Sequence, residues 1–475
     1  MDYSLQQKII TDLPVENSND VGNESSIFHN TIELFFMGNK TLAREYLVKN
    51  PFENFKYYTH DLPAGVASID AIIDCLEDGG YGREGSAFHN KSQFLLNLCD
   101  WSQSICNPTT HTHGSQYSTS RLNNNMDAVI AQLFTSYHGK IRTFNKTGAT
   151  IKVVPFLAES NYRCSQVFQK RRNDKSKDIL LDEHKRSKLF YDPATLYLFM
   201  KGPTLTCNKL ISGGQGQLVV PYVNTNAEYQ PDNLMFSMSS DELDQFFSSK
   251  KYALAAVLAK KISGNGYARV QFVDKADKFF GNGTIESNNG TLGGMPVHIR
   301  VMQHKRKMVG EADTMQKYRD SVFCPVFRGD EPNQKRFFDA LLSGCIPVVM
   351  AHYFGETDTS YFAPGVDNRR IYPWAKGSFG EFPEMGIDYS KLVVEINETD
   401  CGEMDCLPGK LEKWLSDPEA LRQKQLDIAK YARLFSYGLQ DKAFKYADAM
   451  SALLVRARHY VVYEAASTTS TESEV

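Results

Sequence analysis

The stretch SVFCPVFRGDEPNQKRFFDALLSGCIPVVM, Ser321 to Met350, places an amphipathic segment between two apolar runs. A continuous apolar run reads as a strand buried on both faces, and a helix between two such strands is a βαβ unit. Ser321–Phe327 is expected as the first strand, ended by Arg328-Gly329. Asp330 suits a helix amino-terminal cap, and Pro332 suits a first turn. The helix should run to Ser343, with Gly344 as its carboxyl-terminal cap and Cys345–Met350 as the next strand. At about 100° per residue, Phe337, Phe338, Leu341 and Leu342 share one face and should pack on the sheet. Arg336, Asp339, Ala340 and Ser343 then fall on the opposite side.

Such a helix start offers free N–H groups and a positive dipole end, which suits a phosphate. Arg328, Lys335 and Arg336 add cations beside Gly329, and a guanidinium grips phosphate with two parallel hydrogen bonds. Asp339 lies one turn further on, where a carboxylate can accept both hydroxyls of a ribose. The plain alternative is an Arg336–Asp339 ion pair, three residues apart on a wet helix face.

Around this unit, strand-like and helix-like segments alternate. Phe55–Pro63, Thr150–Ala158, Gln217–Val223, Met295–Met302 and Lys391–Ile396 read as strands, Thr150–Ala158 and Gln217–Val223 as buried parallel ones. Thr41–Asn50, with Thr41 as its cap, Ser92–Gln103, Asn125–Ile141, Asp417–Gly438 and Gln440–Val462 read as helices. A length of 475 residues exceeds what one core organises. The expected class is therefore α/β with two parallel-sheet domains. The expected boundaries are a polar, then helical extension over 1–50, domains over 51–245 and 246–420, helices over 421–465, and a disordered tail over 466–475.

The formal net charge of −3 gives no basic excess, so nucleic acid is not an expected partner. No window approaches the run of about 20 apolar residues that a membrane span needs. The first residues also lack the pattern of a signal peptide. Seven N-x-[S/T] sequons occur, at Asn23, Asn39, Asn90, Asn145, Asn282, Asn289 and Asn397. Of nine cysteines, Cys99/Cys106 and Cys401/Cys406 are close pairs, while Cys75, Cys324 and Cys345 sit in apolar runs and read as buried thiols.

The stretch Phe323–Val348 resembles the carboxyl-terminal motif of the exostosin-like (GT47) glycosyltransferases. That motif runs Phe-Cys, Gly, Arg-x-x-[Asp/Glu]-Ala, then Gly-Cys-x-Pro-Val. The matching residues are Phe323, Cys324, Gly329, Arg336, Asp339, Ala340, Gly344, Cys345, Pro347 and Val348. MQKYRD (Met315–Asp320) is similar to the helix before the motif, and YYTHDLP, IRTFNKTGATIKVVPFLAES and LVVPYV are similar to segments upstream of it. The chain departs from the pattern at Lys260–Gly266, at Gln334-Lys335 and after Met350.

The resemblance implies a GT-B fold, two Rossmann-like domains facing across a cleft. A nucleoside-diphosphate sugar, expected as a uridine diphosphate sugar, would bind the carboxyl-terminal domain, and a glycan or polysaccharide acceptor the amino-terminal one. Arg328, Gly329, Lys335, Arg336, Asp339 and Ser343 would form the donor site. Transfer would invert the anomeric centre without a bound metal or other cofactor, because helix dipole and cations stabilise the leaving diphosphate. Inversion needs one general base. Glu159 and Asp61 are the candidates at strand ends, although Asp-Leu-Pro also serves simply to end a strand. His60, His111, His113 and the HKRK turn at His304–Lys307 have equally plain readings as loop. Family members sit in the Golgi lumen on an amino-terminal anchor, which this chain does not show. Self- or hetero-association is compatible with the pattern. The alternative to an enzyme is a non-catalytic exostosin-like partner or glycan-binding subunit.

Overall fold

The computed structural model describes residues 24–59, 134, 141–145, 147–154, 195–200, 204–207, 217–222, 235, 238–259, 267–285, 289–302, 311–327, 335–351, 372–397, 401, 404–437 and 447–460. The chain forms two mixed α/β units, each threaded by separate segments. One takes Val21–Val223, Gly377–Gly386 and Tyr437–Val475. The other takes Met1–Asp20, Asn224–Lys376 and Ile387–Ser436. These limits stand beside expected ones at 50, 245, 420 and 465.

The first unit opens with helices α1 (Glu24–Phe35) and α2 (Lys40–Lys49). Helix α2 is capped by Asn39, whose side-chain oxygen accepts from the Leu42 amide at 3.2 Å, and not by the expected Thr41. Gly38, at φ +81°, turns the chain so that Asn39 takes the extended backbone a cap requires. One sheet follows in chain order, with β1 (Tyr57–Thr59), β2 (Ile151–Val154), β3 (Thr195–Met200), β4 (Thr204–Cys207) and β5 (Gln217–Val219) as neighbours. Strands β1, β2 and β3 are parallel, and β4 and β5 are antiparallel to their neighbours. The expectation for Thr150–Ala158 therefore holds over Ile151–Val154. The expectation for Gln217–Val223 does not, because β5 runs antiparallel to β4. An apolar run reports burial, not direction. Only residues 208–216 separate β4 from β5, fewer than a parallel crossover needs, so the two strands pair antiparallel.

The second unit begins with α3 (Ser240–Ser248), whose start is closed by a capping box between Ser239 and Glu242. Then come β6 (Tyr252–Ala259), α4 (Tyr267–Asp274), α5 (Ala276–Phe280), β7 (Thr291–Leu292), β8 (Met295–Met302) and α6 (Glu311–Arg319). Strand β9 (Ser321–Val326), α7 (Lys335–Leu342) and β10 (Ile346–Ala351) are the βαβ unit read from the sequence. Strand β11 (Val394–Asn397), α8 (Leu407–Leu415) and α9 (Pro418–Ala432) complete the unit. Asp417 caps α9 through the Ala420 amide, and Pro418 holds its first position, as expected from the Asp-Pro start. The sheet order is β11-β10-β9-β6-β8-β7, parallel throughout except for the short β7 edge. Counted along the chain, the five parallel strands lie in the order 2-1-3-4-5, a doubly wound arrangement.

Helix α10 (Ala449–His459), capped by Asp448 inside the expected Gln440–Val462, returns to the first unit; residues 440–446 and 461–462 lie outside the described residues. The Thr31 hydroxyl of α1 donates to Ser451 Oγ at 3.2 Å, and Phe28, Ile32 and Phe35 are buried. The segment from residue 24 therefore packs into the core of this unit. Among the described residues, no helix is long and apolar enough to cross a membrane. The helices expected at Ser92–Gln103 and Asn125–Ile141 lie outside the described residues, apart from Phe134 and Ile141, both buried.

Candidate functional site

In a doubly wound sheet, ligands bind outside the carboxyl ends of the strands, where the strand order reverses. Here the reversal falls between β6, ending at Ala259, and β9, ending at Val326. The next described helix after β9 is α7, and its first turn carries Lys335 and Arg336.

Helix α7 ends as expected. Gly344 has φ +64°, its amide donates to the Leu341 carbonyl at 3.1 Å, and the Cys345 amide donates to the Ala340 carbonyl at 3.0 Å. This is a Schellman cap, which favours glycine because the left-handed backbone crowds a Cβ. Phe337, Phe338, Leu341 and Leu342 are buried, as their spacing predicted. The opposite face is not wet. Asp339, Ala340 and Ser343 are buried as well, and only Lys335 and Arg336 remain half-buried. Besides resting on β9 and β10, α7 meets α6 and α9, and a helix covered on several sides has no solvent face.

Burial changes the partner of Asp339. A carboxylate removed from water requires a counter-charge. Lys335, one turn earlier, supplies it, its Nζ donating to Oδ1 at 2.9 Å and Oδ2 at 3.0 Å. The ion pair anticipated between Arg336 and Asp339 is thus replaced by one from Lys335, and Arg336 makes no ion pair among the described residues. Ser343, expected to face a ligand, is turned inward with its hydroxyl 3.8 Å from Met315 sulfur.

Tyr318 of α6 belongs to the same neighbourhood and was not singled out from the sequence. Burial raises its phenol above the ordinary value, and the charges of Arg336, Asp339 and Lys335 act on it. The aromatic residue within Met315–Asp320 was the available signal. Arg328, Gly329, Asp61, Glu159, His60, His111, His113 and His304–Lys307 lie outside the described residues. Among the described residues, no three His, Cys, Asp or Glu side chains gather to hold a metal ion.

A disulfide underlies the unit. Cys324 of β9 and Cys345, just before β10, are bonded, with Cα atoms 5.8 Å apart. This corrects the reading of both as free buried thiols. Their apolar surroundings signalled burial, but parallel pairing that sets Cys324 against Pro347 makes the two buried sulfurs neighbours. The expected pair Cys401–Cys406 is also bonded. Cys99 and Cys106 lie outside the described residues.

The second unit is thus a doubly wound α/β unit with Lys335 and Arg336 in the first described turn after its switch-point strand β9. Residues 216–409 match the Exostosin GT47 domain, so this stretch is similar to that domain. The match runs from β5 into the start of α8 and includes all five parallel strands of the second unit. Comparison with curated proteins finds no match to the chain.

Proposed function

We propose that the chain is an inverting glycosyltransferase of GT-B type that uses a uridine diphosphate sugar and glycosylates a glycan or polysaccharide in the Golgi lumen. The supporting observation is the division of labour on α7, with Lys335 held by Asp339 while Arg336 stands at the first turn with no described ion pair. The dipole of α7 and the guanidinium of Arg336, with Arg328 beside Gly329, receive the diphosphate. Departure of the nucleoside diphosphate is thereby stabilised without a metal. When the diphosphate arrives, Lys335 turns toward it and releases Asp339 to the ribose hydroxyls. Glu159 or Asp61 takes the acceptor proton as general base.

Calorimetry with uridine diphosphate and with its 2′-deoxy analogue tests this reading. Removing one hydroxyl should weaken binding to the native chain roughly tenfold, the scale of a hydrogen bond to a charged group. Asp339→Ala should bind both nucleotides equally, and Arg336→Ala should lose most affinity for either. An unchanged preference in Asp339→Ala removes the ribose role. Uridine diphosphate binding with neither donor hydrolysis nor transfer, across a panel of donors and acceptors, reassigns the chain as a non-catalytic exostosin-like subunit.

A further inference from the structure

We infer that Asn145 is an N-glycosylation site whose glycan covers the exposed ring of Phe144, an inference that rests on the lumenal placement proposed above. Asn145-Lys146-Thr147 is one of the seven sequons. Asn145 Oδ1 accepts from the Thr147 amide at 3.1 Å and from the Thr147 hydroxyl at 2.7 Å. The turn is closed by the sequon's own residues, so a nascent chain forms it without the rest of the fold. Both side chains are exposed in the folded unit, which leaves room for a bulky substituent.

Two other described sequons fit less well. Asn282 is exposed, but Thr284, its hydroxyl partner, is fully buried and donates to the Gly281 carbonyl. The Asn39 side-chain oxygen accepts from the Leu42 amide, outside the sequon, so that turn is closed by helix α2 and not by Thr41. Phe144 supplies the second observation. It is 82% exposed, one of two large apolar side chains so exposed among the described residues. The Arg142 guanidinium lies 5.1 Å from its centroid and leaves most of the ring open. Apolar C–H faces of a sugar attached one residue away would cover that ring.

In the reaction, Asn145 Nδ2 attacks the anomeric carbon of a polyisoprenyl-diphosphate-linked oligosaccharide. The carbon–nitrogen bond forms, the bond from that carbon to the diphosphate oxygen breaks, and the amide proton leaves to a base of the transferase. The two described disulfides fit an oxidising compartment, where that chemistry occurs.

Native protein, digested and then treated with a peptide N-glycanase in heavy-oxygen water, should yield the Asn145 peptide as isotope-labelled Asp. Thr147→Ala should lose the label completely, and Thr147→Ser should keep it. The Ser variant guards against a loss caused by misfolding. A bare Asn145 in protein whose Cys324–Cys345 and Cys401–Cys406 resist alkylation overturns the site while leaving the lumenal reading intact. A bare Asn145 with all four of those thiols alkylatable overturns both.

Discussion

Asp339 is the charge on α7 with the least freedom. Its side chain is 7% exposed and that of Lys335 is 16% exposed, so neither retains much hydration. Removing one member of such a pair strands the other, at a cost of roughly 3 kcal/mol. Asp339→Ala should therefore destabilise the chain by about that much in denaturant titration, whereas the double variant Lys335→Met, Asp339→Leu should cost far less than the two single losses added. Additive losses would show that the pair is not coupled. Gly344 is constrained by backbone instead. A Cβ there would sit 2.6 Å from Met235 sulfur and 2.6 Å from the Phe246 ring, at a φ of +64°. Gly344→Ala should lose roughly 2 kcal/mol or more, since the left-handed backbone alone costs 1–2 kcal/mol per residue. Gly344 was legible because a cap is local in sequence. The Lys335–Asp339 pair was not, because a helical wheel does not show that α6 and α9 cover the second face.

At the scale of elements, the Cys324–Cys345 bond joins neighbouring strands across a sequence separation of 21. Loop-closure entropy for such a span is about 3 kcal/mol. Replacing both cysteines with alanine should lower stability by that order, and reducing the native protein should lower its denaturation midpoint similarly. An unchanged midpoint under a reductant that demonstrably opens the bond would remove this contribution. Helix α10 carries a different dependence. Burial, then the charges of Arg456 and Arg458, depress His459 from 6.5 to about 3, against the raising effect of a hydrogen bond that the ring donates to the Phe379 backbone. The rings of Tyr46, Phe379 and Phe382 surround it, with the Tyr46 hydroxyl 3.5 Å from Nδ1. Because the folded value is the lower one, the unfolded chain binds the extra proton between about 3 and 6.5. Stability is thus intact above about 6.5 and falls as acid is added, by roughly 1.4 kcal/mol per pH unit. His459→Phe should flatten that part of the stability–pH curve, and an unaltered slope would assign the acid sensitivity to other groups. Helix starts and buried strands were readable from local pattern. Strand direction at β5 was not, since it depends on the length of the connection between β4 and β5.

At the scale of the whole molecule, alternation of strand and helix made the α/β class legible, and the motif around α7 made the likeness to the Exostosin GT47 domain legible. The threading was not. Thr31 meets Ser451 across a sequence separation of 420, and no local signal encodes a contact that distant. Strand order was equally invisible, yet it determines where a ligand should sit. A 2-1-3-4-5 sheet reverses between β6 and β9 and opens its crevice outside their carboxyl ends, whereas the amino ends face the opposite edge of the sheet. At the amino ends lie Lys251 and Ser321, with Lys251 paired to Asp320 at 3.3 Å. A nucleotide that binds only the folded state also stabilises it, by about 2.7 kcal/mol at a hundredfold excess over Kd. That stabilisation should be uneven. With saturating uridine diphosphate, hydrogen exchange should slow most at Leu258–Ala259, Val326–Phe327 and Lys335–Asp339, and remain near its free rate at Lys251–Tyr252 and Ser321. Arg336→Ala should abolish the pattern while leaving exchange in the free protein unchanged. Protection centred on the amino ends, or confined to β1–β5, would place the nucleotide elsewhere and separate the family's helix motif from donor binding in this chain.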